Sequence, residues 1–110
     1  MIEQTVLDYL NDTLTESCYM EEPEGIDTFV LLEKTSGGES NHVYSAAFAI
    51  QSYDTTLNKA AKLNERVKTA MEGITELNEI CKCKLNSDYN YTDTTKKRYR
   101  YQAVFDITHY

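Results

Sequence analysis

The residues best suited to chemistry in this chain are three cysteines, two histidines and 18 carboxylates. Cys81-x-Cys83 is the most pointed pair, because short cysteine spacings mark metal and redox sites. On a strand, period two would put both sulfurs on one face with Cα atoms roughly 6.6 Å apart, at the outer limit for a disulfide. Zinc wants four nitrogen or sulfur ligands, and only Cys18, His42 and His109 remain, scattered along the chain. The expected reading is core thiols. His42 borders a glycine-bearing stretch and His109 is next to the last residue, so neither spacing pairs a nucleophile with a base, and both read as surface histidines.

Gly37-Gly38 lies between two strand-like segments and not at a strand-to-helix turn, so it reads as a hairpin connection and not as a phosphate cradle. Glu21, Glu22, Glu24 and Asp27 lack the alternating oxygen pattern of a calcium loop and read as a solvated acidic loop. No pair among the 18 acids stands out as catalytic. The one local departure from an acidic chain is Lys96-Lys97-Arg98-Tyr99-Arg100-Tyr101, which holds four of the 11 basic residues. Strand alternation puts Arg98 and Arg100 on one face and Tyr99 and Tyr101 on the other. Such a strand is a solvated arginine face above a buried tyrosine face, a protein interface or, as the remotest reading, a nucleic-acid surface. The expectation is no catalytic residue, no cofactor and no metal site, with Arg98, Tyr99, Arg100, Tyr101, Gly37, Gly38 and Glu39 as candidate interface residues.

These residues must be positioned by elements that the hydrophobic pattern outlines. Ile2, Val6, Tyr9, Leu10 and Leu14 repeat at helical spacing, and the acidic, proline-bearing Glu21 to Gly25 breaks that pattern. A short extended piece at Cys18 to Met20 precedes the break. Thr28 to Thr35 is rich in β-formers and apolar on both faces, Ser36 to Asn41 reads as a flexible connection, and His42 to Tyr53 alternates as a second strand. After the N-cap oxygens of Asp54, Thr55 and Thr56, a stripe of Leu57, Ala60, Leu63, Val67, Ala70, Met71 and Ile74 predicts a helix ended by Gly73. Ile80 to Tyr91 alternates with Cys81, Cys83, Leu85, Tyr89 and Tyr91 on one face, and Lys97 to His109 alternates after a turn at Thr92 to Lys96. The expected fold is α+β: a mainly antiparallel sheet of about four strands with two helices on one face, in the order α-β-β-α-β-β.

Composition bounds the function. With 110 residues the chain is one domain, 1–110, too small for a large catalytic barrel. Eleven Lys plus Arg against 18 Asp plus Glu give −7, a charge that repels phosphate backbones. No stretch approaches the ~18 apolar residues of a membrane helix, and Glu3, Asp8 and Asp12 stand where a signal peptide would be basic and then apolar. Three cysteines cannot all pair, so the reading is reduced thiols in a protein made and kept in a cytoplasm.

The order of these elements resembles the tail-terminator or tail-completion (neck) proteins of long-tailed bacteriophages. The likeness rests on the N-terminal helix, the acidic proline-bearing turn and the strand Thr28-Phe29-Val30-Leu31-Leu32. It continues through Ala47-Phe48-Ala49-Ile50-Gln51-Ser52-Tyr53 running into the helix of Leu57 to Ile74, and through the closing Tyr99 to His109. The resemblance implies a non-enzyme, a structural protein of the virion neck assembled in the bacterial cytoplasm. In that family the subunits form a ring, usually six-membered, that ends growth of the tail tube. Its implied partners are other copies of itself, the tail tube protein and the head connector or stopper, with DNA passing through the lumen unbound and no membrane involved. Other neck, minor capsid or tail components of the same fold are the nearest alternative, and a small metal-binding protein using Cys81 and Cys83 is the remoter one.

Overall fold

A computed structural model describes the whole chain, residues 1–110. It is α+β, with two helices and a five-stranded mixed sheet. Helix α1 (Ile2–Thr13) is followed by β1 (Cys18–Tyr19), β2 (Phe29–Ser40), β3 (Val43–Asp54), helix α2 (Leu57–Glu72), a 3-10 turn (Ile74–Glu76), β4 (Ile80–Asn90) and β5 (Tyr99–His109). The strand order is β1-β2-β3-β5-β4, so β5 is inserted between β3 and β4 and the long strands run antiparallel throughout.

The fifth strand corrects the expected count of about four. Cys18 and Tyr19 pair in parallel with Val30 and Leu31, giving α-β-β-β-α-β-β. Two residues are too few for periodicity to register. They are held by side chains: the Asn11 amide accepts from the Cys18 backbone N–H at 2.8 Å and donates to the Cys18 carbonyl at 3.1 Å.

Both helices pack on one face of the sheet. Val30 and Leu32 of β2, Phe48 and Ile50 of β3, and Phe105 and Ile107 of β5 meet Val6 and Leu10 of α1 and Leu63, Val67 and Met71 of α2 in one buried cluster. The stripes at threes and fours thus face the period-two rows, as the patterns require. Thr56 is the N-cap of α2, its hydroxyl accepting from the Lys59 N–H at 3.2 Å, and Gly73 is the C-cap. Gly73 has a packing reason: a Cβ there would lie 2.9 Å from the Tyr9 hydroxyl, which donates to the Ala70 carbonyl at 2.7 Å. The helix ends before Ile74, which lies in the 3-10 turn but is still buried.

The connection expected over Ser36 to Asn41 is strand up to Ser40. The hairpin turn consists of Asn41 and His42, at φ 53° and 66°, the positive pair that a two-residue type I′ turn demands. Glycine was the obvious turn residue, yet asparagine also tolerates the left-handed region, and Gly37 and Gly38 are left inside β2.

Three register shifts also change which residues share a face: Lys34/Ser36 in β2, and Ile80/Lys82 and Leu85/Ser87 in β4. Each bulge reverses the alternation beyond it. Cys81 occupies the first β4 bulge and is exposed, whereas Cys83, opposite Ile107, is half-buried on the helix side. The expected common face of Cys81 and Cys83 is therefore absent. After the second bulge Tyr89 pairs with Gln102 on the helix-free side, so Tyr89 does not share a face with Cys83 and Leu85.

Candidate functional site

The most structured surface is on the helix-free face, at the end of the sheet where β3 finishes and β5 begins. Tyr53 is its centre. Its ring stacks on Phe29 at a centroid distance of 4.5 Å and lies under two guanidinium groups, Arg98 at 4.9 Å and Arg100 at 5.6 Å. Arg100 also sits 4.5 Å over the Tyr91 ring, donates through Nε to the Tyr91 carbonyl at 2.7 Å, and donates through Nη1 to the Tyr53 hydroxyl at 2.9 Å. Arg98 is ion-paired with Glu22 of the acidic loop. The hydrogen bond to Glu22 raises the Arg98 pKa, so the guanidinium stays charged in this position.

From Tyr53 a line of oriented hydrogen bonds crosses three strands. The Tyr53 hydroxyl donates to Gln51 Oε1 at 2.9 Å, Gln51 Nε2 donates to Gln102 Oε1 at 2.8 Å, and Gln102 Nε2 donates to the Tyr89 hydroxyl. Arg100, Tyr53, Gln51, Gln102 and Tyr89 are thus one donor-to-acceptor relay spanning β3, β5 and β4. The relay satisfies the amides of Gln51, which is only 8% exposed, and fixes the tyrosine rings in place. It ends outward at Tyr89, which packs edge-on against Tyr91 at 5.9 Å.

Above Phe29 and Tyr53 the acidic loop and the turn before β5 enclose a cleft of about 460 Å³. Asp27, Asp54, Lys97 and Arg98 line it, giving a mixed-charge wall. Asp54 is already engaged, accepting from the Thr55 N–H at 2.7 Å and the Thr28 hydroxyl at 3.1 Å.

The sequence-derived candidates divide into two groups that the fold keeps apart. Arg98 and Arg100 lie on the helix-free face, while Tyr99 and Tyr101 are half-buried on the other, which is the alternation expected for this strand. Gly37, Gly38 and Glu39 oppose Ala46, Ser45 and Tyr44. Arg100 opposes Tyr53 on the same central strand. Seven residues of β3 separate Ala46 from Tyr53, so the two groups lie roughly 23 Å apart at opposite ends of the sheet. Gly37 is overlaid by the Lys34 side chain, whose Cε would be 3.0 Å from a Cβ at that position.

The thiols separate by environment. Burial pushes Cys18 up to about 12 and Cys83 up to about 11, so both remain protonated and poorly nucleophilic, whereas Cys81 is exposed at its bulge. His42 is exposed in the hairpin turn and His109 stacks on Tyr44 at 5.5 Å. No three His, Cys, Asp or Glu residues converge on a point where an ion could be held. No helix is long and apolar enough to cross a membrane.

Sequence reasoning missed Tyr53, Gln51, Gln102 and Tyr89 as parts of one site. Their only signal is polar residues in the outward rows of separate strands, and their meeting depends on β5 lying between β3 and β4. No protein-family model matches this chain, and no curated protein does either.

Proposed function

We propose that this chain is a structural subunit of a phage neck, a ring-forming protein that caps the tail tube, ends its polymerisation and offers the tail-side surface for head-tail joining. The resemblance in element order is one support. The structural observation that carries the reading is the polarity of an elongated subunit, 45 Å long against 25 and 23 Å, with different chemistry at its two ends. One end carries the Arg98, Arg100 and Tyr53 cluster, and the other carries Gly37 to Glu39 beside the Asn41-His42 turn. A capping ring must bind a tube on one side and a connector on the other, so each subunit needs two unlike ends as well as lateral contacts that close. The net charge of −7 suits a lumen that lets DNA slide, because a basic lumen would hold phosphates.

The test is arrest of tube growth. Purified protein added to polymerising tail tube protein should fix tube length at substoichiometric ratios, with the protein at one tip. Tube lengths unchanged at saturating protein would overturn the reading. Polymerisation of the chain by itself would instead mark a tube subunit of the same fold.

A further inference from the structure

The first 27 residues hold eight carboxylates and neither Lys nor Arg. Only two of those acids are ion-paired, Glu16 with Arg66 and Glu22 with Arg98. The segment after β1 is the most exposed part: Glu21, Glu24 and Asp27 have no cationic partner, and Met20 and Ile26 are 40% and 42% exposed between them. Unpaired carboxylates around two partly exposed apolar side chains give this segment a surface that a basic partner would complement.

The β4 margin of the sheet carries the complement. β4 is the outermost strand beyond β5, a surface distinct from the acidic loop, which lies over the sheet end at Phe29 and Tyr53 and is tied to Arg98 through Glu22. On β4, Lys82 and Lys84 point from the helix-free side and have no carboxylate partner. Tyr89, on the same helix-free side of β4, is 42% exposed. Tyr89 is held rigid by the Gln102 relay, so little rotamer freedom remains to be lost on binding.

We infer that the occupant of the β4 margin is a second copy of this chain, whose Met20–Asp27 segment docks on its helix-free side, acidic side chains to Lys82 and Lys84 and Met20 and Ile26 to the Tyr89 ring. The contact joins two different surfaces and is therefore heterologous, the arrangement that generates rings by rotation. Two bulges and two lysines blunt the β4 backbone edge against strand addition, which leaves side chains as the means of contact. The inference rests on the ring-subunit reading and adds which surfaces of the subunit close the ring.

Reversal of charge on each side separates the outcomes. Native mass measured by light scattering over a concentration series at low salt should show self-association of the wild-type chain, weakened by added salt. Glu21→Lys/Glu24→Lys/Asp27→Lys and Lys82→Glu/Lys84→Glu should each weaken association at least tenfold with melting temperatures unchanged, since all five residues are exposed. Mixing the two variants should restore assembly, because each then offers one surface complementary to the other. A wild-type chain that stays monomeric throughout, reversals without effect, or a mixture that fails to reassemble would overturn the inference. Tube arrest by wild-type protein alongside any of those results would leave the capping reading standing and reject this contact alone, whereas loss of tube arrest is failure of the reading itself.

Discussion

The two faces of the sheet are built by different physics. Under the helices, Phe48, Ile50, Phe105 and Ile107 are buried by packing and carry no polar atoms in their side chains. On the bare face the rows that hold Tyr53, Gln51, Gln102 and Arg100 are closed by directed hydrogen bonds and by guanidinium groups over rings. Dispersion and the hydrophobic effect need no particular angle, so the covered face tolerates any set of apolar shapes that fills it. The relay needs every donor to find its acceptor. Stability should therefore reside mainly on the covered face and fixed surface geometry on the bare one.

The sharpest way to break that contrast is truncation at each face. Phe48→Ala removes a fully buried ring at the centre of β3 and should cost about 3–5 kcal/mol, read as a lowered midpoint in urea unfolding. Gln51→Met keeps the volume but deprives Tyr53 of its acceptor and Gln102 of its donor, and should cost about 1–2 kcal/mol. A Gln51→Met loss as large as that of Phe48→Ala would mean that the bare face is a core in its own right. At the smallest scale, Glu22→Gln leaves Arg98 over Tyr53 and removes only an exposed ion pair, so the midpoint should move by less than about 1 kcal/mol and the difference should fade in salt. A larger effect would show that the acidic loop is fastened to the sheet by Glu22 alone.

The same contrast explains what could be read in advance. The apolar stripe of α2 and the alternation of β3 and β5 are local periodicities, and the structure places them on the covered face where they were expected. The split of Arg98 and Arg100 from Tyr99 and Tyr101 follows from the same rule. What was illegible is non-local. The β4 bulges at Cys81 and Asn86 send Cys83 and Tyr89 to opposite faces, and no propensity in Cys-Lys-Cys-Lys-Leu-Asn-Ser announces them. Asn64 is another case: it sits 1% exposed within the apolar stripe, donating to Asp88 at 3.2 Å, and its polar identity only makes sense once β4 lies beside α2. The relay from Arg100 to Tyr89 likewise exists only because of strand order.

Two of the three register shifts fall on β4, the outermost strand on its side, and the third on β2 beyond the two residues that β1 covers, while β3 and β5 pair without interruption from Tyr44 and His109 to Asp54 and Tyr99. Cross-β growth requires a flat, regular row of free amides and carbonyls onto which an identical segment can be laid in register. The bulged rims deny such a template, and Lys34, Lys82 and Lys84 add charge where copies would have to stack. Edge-to-edge annealing of backbones is thus disfavoured at both rims, and contacts between copies fall to the chemistry of the side chains.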